Sequence, residues 1–181
     1  MANQLILFTN QNYTQITNSR KRPIKKTMKT ATYIKEFDEL SNKILHQILS
    51  LRASIFVVEQ QSCYQDPDPF DLVATHVYQT SNDKNEVIAY LRICPPGTRF
   101  EDTSIGRVVT KKNYRGQGLC STLLNETMQY LLKDPRITRI SLSAQSHLKH
   151  FYQRHQFHAI GEQYMEDSIP HIKMHYQKPI E

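Results

Sequence analysis

The chain has 181 residues and a formal net charge of +6, from 23 Lys and Arg against 17 Asp and Glu. Its length fits one domain with a substantial core, and no apolar run is long enough to span a bilayer. Residues 1–35 hold seven Lys or Arg and no acid, so the rest carries 16 bases and 17 acids, a net −1; the basic balance belongs to an arm, and a nucleic-acid partner is not expected.

In chain order, residues 1–28 read as a basic polar arm, with a short strand possible only at residues 5–8. That run is too short for a signal-peptide core, and the charges follow it instead of preceding it. Residues 29–35 read as a first strand. Leu40, Ile44, Leu45, Ile48, Leu49 and Ile55 have helical spacing, with Asp38 or Ser41 near the start, and the chain is expected to leave that helix at Val57. Residues 62–71 contain Asp66-Pro67-Asp68-Pro69, which excludes regular helix and central strand and suits a loop over a site. Residues 73–79 and 86–94 read as a hairpin about the turn residues 81–85, and Pro95-Pro96-Gly97 stops the second strand.

Residues 105–133 are the most informative stretch: an apolar strand, a basic loop with Gly116 and Gly118, and a helix marked by Leu119, Leu123, Leu124, Met128, Leu131 and Leu132. A helix start offers unpaired N–H groups and a partial positive charge, glycine lets an anion approach them, and Lys111, Lys112 and Arg115 add full charges. The loop therefore reads as a phosphate site. It is not a Walker loop, because Leu119-Cys120 follow Gly118 where Lys-Ser/Thr is needed, and two glycines fall short of the dinucleotide fingerprint. Residues 137–143 then read as a strand, 146–155 as a short helix, and 157–165 and 171–176 as closing strands.

Several of these blocks resemble one family. Arg115-Gly116-Gln117-Gly118-Leu119-Cys120 is similar to the acyl-CoA signature of the GNAT superfamily of N-acetyltransferases, and Gly106-Arg107-Val108-Val109 resembles its cofactor-facing strand. Residues 142–145 with 151–157 resemble its later strand and helix. Leu51-Arg52, residues 56–60, Tyr64-Gln65-Asp66 and residues 166–172 resemble the ElaA-like branch. Cys120 replaces the usual last Gly or Ala, Gln145 stands where many members have Asn, and Gln156 stands where a helix-ending Gly is common. The resemblance implies an α/β fold of α+β type: one GNAT-like domain over residues 29–181, with a mixed, mostly antiparallel twisted sheet flanked by helices and a splayed central strand pair.

It also implies acetyl-CoA as cosubstrate and an amine acceptor, small molecule or peptide, with no metal and no membrane partner; dimers are common in the family. Cofactor binding maps to Val108, Val109 and Thr110 through their backbone, to Arg115, Gly116, Gln117, Gly118, Leu119, Cys120 and Ser121 in the loop and first helical turn, and to Gln145. Tyr152 is the expected general acid. Glu59, His76, His147 and His171 are the weighed bases, with Glu59 and His171 favoured because they lie in ElaA-like blocks. Asp66 and Asp71 are considered as attractors of a cationic amine. Cys120 has two readings, a thiol activated by the helix start or a small buried residue beside the cofactor. Cys63, Cys94 and Cys120 lack metal-ligand spacing and read as reduced thiols of a cytoplasmic protein. A non-catalytic acyl-CoA sensor or partner module on the same fold, and an acyltransferase using a longer acyl-CoA, are the competing readings.

Overall fold

The computed structural model describes residues 30–81, 83 and 85–179. The basic arm and the short strand considered at residues 5–8 lie outside these. Seven strands form one sheet in the order β1-β2-β3-β4-β5-β7-β6. They are β1 (Thr30–Glu36), β2 (Thr75–Ser81), β3 (Val87–Cys94), β4 (Thr103–Thr110), β5 (Arg139–Gln145), β6 (His158–Glu166) and β7 (Ile169–Gln177). Neighbours are antiparallel except β4 and β5, so the sheet is mixed and mostly antiparallel.

Helix α1 (Asn42–Arg52) starts where the Ser41 hydroxyl accepts from the Ile44 amide, a side-chain cap that satisfies one of the orphan donors. The chain does not leave the helix at Val57. It continues as a π-helical stretch, Ala53–Glu59, closed by Gln60 N–H donating to Ile55 O at 3.0 Å. Such widened turns cluster at functional sites, and this one sets Phe56, Glu59 and Gln60 on the wall of the main cleft. Ile48, Leu51 and Ile55 bury against Tyr78, Val87, Tyr90 and Val109. Helix α2 (Leu119–Leu131) lays Leu119, Leu123, Leu124, Met128 and Leu131 into a second, larger cluster with β3, β5 and β7. Helices thus cover both faces, and β3 between them is buried along its whole length.

Two local features shape the cleft. β4 carries an extra residue against β3, since Tyr90 pairs with Val109 but Arg92 with Gly106. Arg107 at this bulge is left-handed (φ 53°), a conformation that disfavours any residue with a Cβ. β4 and β5 then pair only at Thr103–Ile140 and Ser104–Ser141, and beyond that point they are no longer bonded. The expected splayed central pair is this divergence.

Helix α3 (Lys149–Gln153) ends without glycine. Gln156 takes the left-handed position (φ 66°), Phe157 N–H donates to Tyr152 O, and Gln156 N–H donates to Gln153 O. This is a Schellman ending, with Tyr152 and Phe157 supplying its apolar contact at 6.1 Å between rings. The absent glycine is therefore met by strain at Gln156. Gln156→Gly should raise stability by about 0.5–1 kcal/mol, read as a higher urea midpoint with unchanged slope.

Candidate active site

The divergence of β4 from β5 opens a cleft of about 990 Å³. The π-helical stretch, β4, the Arg115–Cys120 loop, β5, α3 and the β6–β7 hairpin all contribute to its lining. At one end Gly116 (φ 71°) and Gly118 (φ 82°) take left-handed backbone, and Gly118 caps α2. Among the described residues, and leaving aside the adjoining ones, no atom lies within 4 Å of where a Cβ would stand on either glycine. The open space over the first N–H groups of α2 is what an anion needs.

Val108, Val109, Thr110, Arg115, Gly116, Gly118, Leu119, Cys120, Ser121 and Gln145 all line this cleft, as do Tyr152, Glu59 and His171. Gln117 does not: its side chain turns back to donate to Asn113 O at 3.4 Å. The loop cations are less free than their sequence suggests. Lys111 Nζ lies 2.5 Å from a Glu86 carboxylate oxygen, whose other oxygen accepts from Tyr114 at 2.7 Å. Arg115 donates to Thr110 O and, at 2.6 Å, to Glu59 across the cleft. That hydrogen bond holds the Glu59 carboxyl below its ordinary range.

Tyr152 is 5% exposed and sits edge-on to Phe151 and Phe157. Burial first, and Cys120 beside it second, push its phenol above the ordinary value. His171 donates from Nδ1 to Ile169 O at 2.8 Å, because a carbonyl can only accept; in the neutral ring the lone pair is therefore on Nε2. The β6–β7 hairpin ends in left-handed Asp167 and Ser168, as in a type I′ turn. It is pinned over the cleft by Glu166, which accepts from Arg99 and from the Ser143 hydroxyl; Tyr164 O–H in turn donates to Ser143.

Two expectations are corrected, and the choice between the two readings of Cys120 is decided. Asp66 and Asp71 are not available to a cationic acceptor. They are buried with Arg52, which donates to Asp66 at 2.8 Å and to both Asp71 oxygens at 2.6 and 3.0 Å. Arg92 joins Asp71 to Asp68, and Arg107 lies 2.8 Å from Asp66 Oδ1 and donates to Asp68 Oδ2 at 3.2 Å. The Asp-Pro loop is thus a clasp that ties α1, β3 and the β4 bulge together.

His76 is not a base candidate. It is fully buried outside the cleft lining, with Nε2–H donating to Asp71 O and Nδ1 accepting from Tyr90 O–H. Burial holds its pKa below the ordinary value. His147 does line the cleft.

Cys120 is not activated by the helix start; burial pushes its thiol up to about 11. A labelling reagent at pH 7.5 should therefore modify exposed Cys63 well before Cys120, read by mass spectrometry of the two peptides. Equal rates would count against a half-buried, protonated thiol.

The sequence also concealed a chain formed by Ser121, His155 and Asn125, residues separated by up to 34 positions and joined where the turn after α3 meets α2.

A splayed strand pair, a glycine loop at a helix start and a buried tyrosine in one cleft define the acyl-CoA-dependent acyltransferase class. A family model described as "Acetyltransferase (GNAT) domain" matches residues 75–178, and the chain belongs to that family, in its ElaA-like branch. Protein ElaA of Escherichia coli is 38% identical over 138 residues, covering 75% of this chain and 89% of that protein. A UPF0039 protein of Synechocystis sp. is 35% identical over 143 residues, 79% of this chain and 92% of its own. Among solved structures, an acyl-CoA N-acyltransferase from Pseudomonas aeruginosa shares 37% identity at TM-score 0.76, covering 82% of this chain and 99% of that one. The crystal structure of Escherichia coli ElaA shares 34% identity at TM-score 0.76, with 82% and 100% covered.

Proposed function

We propose that this chain is an acetyl-CoA-dependent N-acetyltransferase that passes an acetyl group to a primary amine by direct attack in a ternary complex. The observation that carries the reading is the single cleft that holds the Gly116–Gly118 helix start at one end and buried Tyr152 on its wall. The N–H groups of the loop and first turn hold the diphosphate, assisted by Arg115 once it leaves Glu59. The backbone of Val108, Val109 and Thr110, on the strand freed from β5, pairs with the pantetheine arm and polarises the thioester carbonyl.

The amine nitrogen attacks that carbonyl, the new C–N bond forms, and the C–S bond breaks. The amine proton goes to His171 Nε2, whose lone pair is left for the cleft by the Nδ1 bond to Ile169 O. Glu59 is the second candidate base; its pairing with Arg115 keeps it ionised and a weak proton acceptor until the cofactor draws Arg115 away. The leaving thiolate takes the Tyr152 proton, which burial keeps on the phenol at neutral pH. Direct attack is favoured over a cysteinyl relay because the Cys120 thiol is held protonated.

No metal is assigned a role. Free thiols at Cys63, Cys94 and Cys120 accord with a cytoplasmic setting. The acceptor is a small molecule or peptide, and residues 29–181 are the catalytic unit.

Turnover of acetyl-CoA against a panel of amines, with product masses measured and longer acyl-CoA thioesters as parallel arms, tests the reading. An increment of one acetyl group on an amine supports it. Tight CoA binding without turnover of any amine would favour a sensor on the same fold. Gly118→Val should weaken CoA binding at least tenfold in calorimetry, since its side chain fills the space over the N–H groups; unchanged affinity would remove the loop from the cofactor site.

A further inference from the structure

Behind the cleft wall, three side chains form a directed chain. Asn125 Oδ1 lies 2.8 Å from His155 Nδ1, and His155 Nε2 lies 2.9 Å from Ser121 Oγ. An amide oxygen can only accept, so Nδ1 carries a proton, and in the neutral ring Nε2 must accept from the Ser121 hydroxyl. Ser121 lines the cleft in the first turn of α2, three residues after Gly118. In the free protein its one hydroxyl proton therefore points away from any anion in the cleft. The groups that face His155 are Ser121 and Asn125 from α2, Phe151 from α3 at 4.9 Å between rings, and Arg154 beside it. Burial first and Arg154 second disfavour its charged form.

We propose that His155 is a positioning residue that couples proton uptake to acyl-CoA binding by reversing the Ser121 hydrogen bond. Protonated at Nε2, His155 donates to Ser121 Oγ and releases the Ser121 hydroxyl proton to a phosphate oxygen of the cofactor. One proton is taken from solvent, no covalent bond changes, and Asn125 Oδ1 keeps its bond to Nδ1–H in both states. The imidazolium then stands one hydroxyl away from the diphosphate, so anion and proton favour each other's binding. The inference rests on the acyl-CoA reading above and assigns to that site a pH-dependent affinity.

The test uses dephospho-CoA, whose diphosphate has no monoester titrating near neutrality. Its affinity is measured by calorimetry from pH 8 to pH 5.5, in buffers of differing ionisation heat to count protons. The wild-type chain should bind about tenfold more tightly at the acid end, with up to one proton taken up. His155→Gln should lose most of that gain, and what remains belongs to other groups on the cleft, such as His147 and His171. Asn125→Asp alters an exposed position and places a carboxylate beside Nδ1, so the midpoint of proton uptake should move up by about one pH unit or more. That arm stands alone if the His155 variant does not fold. A wild-type slope that survives undiminished in His155→Gln, or a midpoint unmoved in Asn125→Asp, overturns the coupling while leaving the acyl-CoA reading intact. Absence of dephospho-CoA binding at every pH overturns both.

Discussion

Asp71→Ala should cost about 3–5 kcal/mol, the usual loss when one partner of a buried ion pair is removed. Both Arg52 and Arg92 would lose a carboxylate in an environment where they are 0% and 2% exposed. Folding free energies are only about 5–15 kcal/mol in total, so the loss should remove between about a fifth and nearly all of the stability. Urea titration checks the magnitude, with Lys35→Ala as comparison, because the Lys35–Glu39 pair is exposed and should be nearly silent. A loss below about 1 kcal/mol for Asp71→Ala would mean that the clasp is solvated and that another contact holds the β4 bulge.

The same region fixes the acid limit. Burial pushes the Asp71 carboxyl up, but Arg52 and then Arg92 outweigh it and hold it below the ordinary range. A depressed carboxyl contributes stability above its unfolded value near 3.9, and that contribution is lost as pH falls through the folded value. His76, buried neutral, acts earlier: the unfolded chain gains a proton below about 6.5 that the folded chain resists. Stability should thus be flat between about pH 7 and 8, fall first below about 6.5, and fall again below about 4; above about 8.5 the raised Cys120 thiol makes it fall as well, because the unfolded chain loses that proton first. His155 adds to the first step, so His76→Gln should reduce that step without abolishing it.

Tyr152→Phe should leave the fold and acetyl-CoA binding in place while single-turnover acetyl transfer falls roughly 10²-fold. The ring keeps its edge contacts with Phe151 and Phe157. The hydroxyl makes no hydrogen bond among the described residues, so its loss strands no partner there. Steady-state rates would understate the effect if CoA release is slow, which is why a single turnover is the proper measure. Wild-type single-turnover rates in a folded variant would make Tyr152 a packing residue and require another donor for the thiolate.

Much of this molecule was legible because it is local. The Leu119–Leu131 repeat encodes α2 by period alone, Gly116 and Gly118 encode the loop by the backbone they permit, and Ser41 marks the start of α1. The order of motifs named the family, and with it the splayed strands. At Gln156, the missing glycine marked the helix end, and the structure shows that Gln156 itself takes the left-handed position. What the sequence by itself could not determine is which charge meets which. Asp66 and Asp71 looked like solvent acids, yet the topology brings β3 and the β4 bulge onto their loop and buries them against three arginines. His76 looked like a base, and a buried tyrosine and a carbonyl fix it neutral. Cys120 sits at a helix start that would lower its pKa, and burial raises it instead. Only the tertiary structure decides such cases, because a side chain's chemistry is set by groups within a few ångströms, and those groups come from distant parts of the chain.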